Sequence, residues 1–101
     1  LVTLAISTHA TTRSGTVERV VDGDTIVFQR IAAKTLRVRL ADIDTPELDQ
    51  PWGIEAKAAL KNWAEKRRGE VRIADTDRYG RSVATLWIDG ESDRSSGLPK
   101  I

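Results

Sequence analysis

From Gly15 onward the chain alternates short hydrophobic runs with turn residues, the spacing of strands rather than of a helical bundle. Residues 15–21 (GTVERVV) are β-prone and stop at Asp22-Gly23, a hairpin-turn dipeptide; residues 25–29 (TIVFQ) supply the return strand. Over residues 35–42, Leu36, Val38 and Leu40 fall on one face and Arg37 and Arg39 on the other. A loop broken by Pro46 and Pro51 follows. Residues 54–68 then change period: Ala56, Ala59, Leu60 and Trp63 form an apolar stripe, with Lys57, Lys61 and Glu65 outside it. Glu55 suits the start of this helix, the basic run 66–68 its end, and Gly69 its termination. Two more strands are predicted at residues 70–74 and 82–88, joined by a turn containing Asp75, Asp77 and Gly80.

The order β-β-β-α-β-β predicts a mainly β (α+β) domain with one helix, arranged as a five-stranded OB-type barrel with the helix between strands three and four. The barrel is expected over residues 15–90, with a leader remnant or N-terminal arm at 1–14 and a polar tail at 91–101. A length of 101 residues allows one modest core. Composition narrows the chemistry: without Cys or Met, and with His9 as the single histidine, there is no thiol nucleophile, no iron–sulfur centre and no multi-histidine metal site. Charge adds little by itself. Residues 1–50 carry six Lys/Arg against seven Asp/Glu, and the second half is only slightly basic, so nucleic acid would have to be held by locally gathered cations. The uncharged start LVTLAISTHA ends in Thr8-His9-Ala10, near the small-x-small pattern of a signal-peptidase site. It is too short to cross a membrane, so no membrane role is expected, and the leader reading points to a secreted or periplasmic protein.

Three segments concentrate chemistry. Asp22-Gly23-Asp24-Thr25 reads alone as a hairpin turn. The loop Asp42-Ile43-Asp44-Thr45-Pro46-Glu47-Leu48-Asp49 puts four carboxylates within eight residues, which repel one another unless a cation or arginines compensate. Carboxylates and backbone carbonyls on irregular chain are the donors a hard cation such as Ca²⁺ takes. Asp77-Arg78-Tyr79-Gly80-Arg81 reads as a tight turn with Gly80 at positive φ; an EF-hand starting at Asp75 fails, because its twelfth position is Leu86. Taken together, Arg39 and Arg81 near a carboxylate–metal centre would make a bidentate phosphate clamp.

The segments VVDGDTI, VRLADIDTPE and DRYGR, in this order around one amphipathic helix, resemble the staphylococcal nuclease (thermonuclease-like) family over about residues 15–90. The resemblance implies a Ca²⁺-dependent phosphodiesterase acting on DNA and RNA with little sequence preference. Hydrolysis at the 5′ side of the phosphorus would leave 3′-phosphate ends. By this resemblance Asp24, Asp44 and the Thr45 carbonyl are metal ligands, Glu47 activates the attacking water, and Arg39 and Arg81 hold the phosphate. Arg78 and Tyr79 stand where the family contacts substrate. In the family, two further helices follow the barrel; here Asp89-Gly90 is followed only by ESDRSSGLPKI. The expectation is therefore a barrel surface covered by a second copy, a partner chain or a compact tail, and the alternative function is a non-catalytic nucleic-acid-binding or assembly module. Of the tryptophans, Trp63 is expected in the core, Trp87 in the core or on an apolar patch, and Trp52 packed under the helix start, with a base-stacking platform as its alternative.

Overall fold

The computed structural model describes residues 11–41, 43 and 52–93. Strands β1 (Thr11–Asp22), β2 (Thr25–Arg30) and β3 (Thr35–Leu40) form a meander. Helix α1 (Gly53–Ala64), strands β4 (Arg68–Thr76) and β5 (Ser82–Ile88), and the two-residue β6 (Glu91–Ser92) follow. The hydrogen-bonded order is β3-β2-β1-β4-β5-β6, and a parallel pairing of β3 with β5 closes the first five strands into a barrel. This is the OB-type α+β architecture that the strand order predicts. No helix among the described residues is long and apolar enough to cross a membrane.

The barrel interior is built by alternation. Val17 and Val20 from β1, Ile26 and Phe28 from β2, Val38 and Leu40 from β3, Val71 from β4, and Ala84, Leu86 and Ile88 from β5 are buried together. Leu60 and Ala64 carry the helix onto this core, with Trp63 half-buried against it. The helix is also tied to β1 by polar contacts. Val20 N–H donates to Glu65 Oε1 (3.2 Å), and Lys66 N–H donates to the Val17 carbonyl (2.8 Å). Both bonds meet β1 where its register against β2 shifts, at Val17/Arg19 and Val20/Asp22, so bulged backbone finds partners in the helix end.

Four sequence expectations are corrected. β1 begins at Thr11: residues Thr11–Ser14, placed with the N-terminal arm by pattern, pair with Ile73–Glu70 of β4. The helix ends at Ala64, and Lys66 takes the left-handed backbone (φ 68°) that Gly69 was expected to supply. Gly69 lies instead within β4, where a Cβ would come 2.4 Å from the Trp87 carbonyl oxygen. The polar tail is not wholly free of structure either: Asp93 is buried and exchanges bonds with β5, its N–H donating to the Leu86 carbonyl (2.9 Å) and its Oδ1 accepting from Leu86 N–H (2.7 Å). Trp52 is 70% exposed at the start of α1 rather than packed beneath it.

Candidate active site

The β1–β2 hairpin, the end of β3 and the turn before β5 meet at one place on the barrel. Asp22 and Thr25 close the hairpin as a register pair, and Asp22 Oδ1 accepts from Asp24 N–H (3.1 Å), which shapes the turn. Across β2–β3, Thr25 is the register partner of Arg39. This brings the Arg39 guanidinium beside Asp24, with Nε 3.5 Å from Oδ2, while Leu40 N–H donates to the Asp24 carbonyl (2.8 Å). Arg39 Nη1 donates to the carbonyls of Leu40 and of Ile43, the latter at 2.7 Å. These contacts pin one side of the guanidinium to the backbone.

Arg81 reaches the same place by another route. Its Nη1 donates to Thr25 Oγ1 (3.2 Å), and Thr25 in turn donates to Asp24 Oδ1 (2.8 Å). Asp77 organises the turn that delivers it. Asp77 Oδ1 accepts the backbone N–H groups of Tyr79 and Arg81 (both 2.9 Å), and Oδ2 accepts from Arg81 Nε (2.8 Å). Gly80 adopts φ 81°, as the turn reading requires. Among the described residues, Nη2 of Arg39 and of Arg81 makes no hydrogen bond, so each guanidinium keeps a donor for an external acceptor.

The electrostatics are unequal across the aspartate pair. Burial, and then the hydrogen bond that its carboxyl shares with Asp22, pushes Asp24 up to about 6 against the pull of Thr25 and Arg39. Asp22 goes the other way. Burial raises it, but hydrogen bonds with the Asp24 side chain and backbone and with Thr25, together with the Arg81 charge, hold it below the ordinary carboxylate range. Asp77 is likewise held low: a desolvation push is outweighed by the Arg81 backbone and side chain and the Tyr79 N–H.

An ionised Asp24 is therefore costly in the protein alone, and a hard cation would relieve that cost. The Asp22/Asp24 oxygen pair fits such an ion in charge and donor type. Among the described residues no group of three or more His, Asp or Glu could hold a metal, so this pair can be only part of a ligand set. Asp44, Thr45 and Glu47 lie outside the described residues. Arg78 and Tyr79 form a neighbouring unit: Arg78 Nη2 donates to Tyr79 Oη (2.9 Å), and the Arg78 and Arg81 guanidinium carbons lie 5.1 and 5.6 Å from the ring centroid.

Thr25 and Asp77 are the positioning residues that the sequence reading missed. An aspartate four residues before an arginine across a glycine turn was a visible signal for the second. Thr25 had none, because its role depends on Arg81, distant in sequence.

A closed five-stranded α+β barrel carrying an aspartate pair and two arginines with donors to spare defines the class, an OB-type domain. Residues 37–98 match the family model described as staphylococcal nuclease homologue, and the chain belongs to that family. Protein ParB of Escherichia coli is 44% identical over 77 residues, covering 76% of this chain and 43% of its own length. The micrococcal nuclease of Shigella flexneri is 40% identical over 73 residues (72% of this chain, 41% of its own). The thermonuclease of Staphylococcus hyicus is 37% identical over 83 residues (74% and 48%). The chain thus spans less than half the length of these curated relatives.

Proposed function

We propose that this chain is a nuclease barrel that hydrolyses phosphodiester bonds of DNA and RNA with Ca²⁺ as cofactor. The observation that carries this reading is the linkage of Asp24 to Arg39 directly and to Arg81 through Thr25, which gathers an anionic metal-ligand candidate and two phosphate-binding cations around one point. The names of the micrococcal nuclease and thermonuclease relatives support it. Asp24, with Asp44 and the Thr45 carbonyl, would hold Ca²⁺, which when bound polarises the phosphoryl oxygens. Arg39 and Arg81 turn their spare Nη2 donors on the phosphate and neutralise charge as the phosphorus becomes five-coordinate. Glu47 accepts the proton of the attacking water. Contacts of this kind go to phosphate rather than to bases, so sequence preference is weak.

The test is cleavage of heat-denatured DNA by the full chain in excess Ca²⁺, with EGTA and with Glu47→Gln as comparisons. Cleavage that EGTA abolishes, and that the variant lowers by about 10²- to 10⁴-fold, is expected for loss of a general base. An unchanged rate in Glu47→Gln removes that residue as the base. A folded chain that binds the DNA without cutting it leaves the non-catalytic binding module.

A further inference from the structure

We propose that Arg37 is a third phosphate-binding arginine, holding the polynucleotide backbone at a phosphate next to the one held by Arg39 and Arg81. This rests on the phosphodiesterase reading of the site and extends it to a length of substrate. Arg37 lies two residues before Arg39 on β3, and strand periodicity puts both on the same outward face. The parallel pairing of Val38 with Ser82, continued one residue back along both strands, sets Arg37 opposite Arg81. Arg37, Tyr79 and Arg81 line one cleft of about 350 Å³.

The charge in that cleft is unbalanced. Arg81 is paired with Asp77 (2.8 Å), whereas the exposed Arg37 guanidinium has neither an ion pair nor a hydrogen bond among the described residues. Like charges facing each other across neighbouring strands repel, and an anion between them reverses the sign. The cleft recognises phosphate rather than a stacked base. The Tyr79 ring is already partnered by two guanidiniums, and its hydroxyl accepts from Arg78.

The experiment compares the wild-type chain with Arg37→Gln, Arg37→Lys and Arg13→Gln. The last makes the same charge change on β1, which is separated from β3 and β5 by β2 and β4. Binding of a fluorescein-labelled oligo(dT) strand is followed by anisotropy in EGTA over a salt series, and cleavage of the same strand is followed in Ca²⁺. Arg37→Gln is expected to weaken binding about tenfold, the size of one charge-assisted phosphate contact. It should also flatten the slope of log affinity against log salt by about 0.7, one phosphate fewer on a single strand. Arg37→Lys should keep the slope, and Arg13→Gln should keep both. In Ca²⁺ the loss should fall on KM rather than kcat.

Equal behaviour of Arg37→Gln and Arg13→Gln overturns the proposal, as does a loss confined to kcat, which would move Arg37 to the reacting phosphate. A wild-type chain that does not bind the strand overturns it too. The nuclease reading fails separately: a wild-type chain that binds but does not cut, while Arg37→Gln still loses affinity, sinks catalysis and leaves the arginine track standing.

Discussion

Asp77 shows how one side chain places a catalytic candidate it never replaces. Its two oxygens gather three donors from Tyr79 and Arg81, so the turn and the guanidinium are set together. Its folded-state value lies below the unfolded one, so its stabilisation is fully present above about pH 4, the unfolded value, and is lost as pH falls through the depressed folded value. Asp77→Asn should therefore be less stable than the wild type at neutral pH, and the two urea midpoints should converge in acid. Parallel midpoints across that range would show the carboxylate charge to be irrelevant. Asp24 is the opposite case, a carboxylate raised by burial and then by its hydrogen bond with Asp22.

At the scale of elements, close backbone approach decides which glycines matter. A Cβ on Gly15 would lie 2.0 Å from the Gln29 carbonyl oxygen and 2.9 Å from the Phe28 ring, at the open end of the β1–β2 pairing. Gly15→Ala should cost about 3 kcal/mol or more, since backbone must move, and a denaturant midpoint equal to wild type would show that the strands can part there. Helix α1 makes the complementary point. Its end is secured by Glu65 and Lys66 bonding to β1, not by a glycine, so tertiary contacts bear the cost of a left-handed lysine.

For the whole molecule, the parallel β3–β5 contact is what turns a sheet into a barrel and brings Arg81 to Thr25, which the β2–β3 register already holds beside Arg39. Leu40 sits on that seam, fully buried and in register with Ala84. Leu40→Ala should destabilise the fold by about 2–5 kcal/mol through lost burial and the cavity left behind, read as a lowered unfolding midpoint. A loss well under that range would mean the seam collapses around the smaller side chain. The terminal segment also reaches the barrel. Buried Asp93 bonds the Leu86 backbone on β5, and Trp63 Nε1 donates to Glu91 (3.0 Å), joining helix to β6.

The sequence by itself determined the strand order, the hairpin at Asp22-Gly23, the outward face of Arg37 and Arg39, and the glycine turn before Arg81. Each of these follows from local backbone preference or from a period of two. Element ends were less legible: β1 starts four residues early, and Gly69 serves strand packing, because pairing partners and close contacts come from distant chain. The site divides the same way. Asp24, Arg39 and Arg81 were visible as residue types in ordered motifs. Their linkage through Thr25 was decided only by barrel closure, which sets segments more than fifty residues apart side by side, whereas the hold of Asp77 on Arg81 is local to a turn of five residues. Burial did the rest, because the low-polarity surroundings that raise Asp24 exist only once the core has formed.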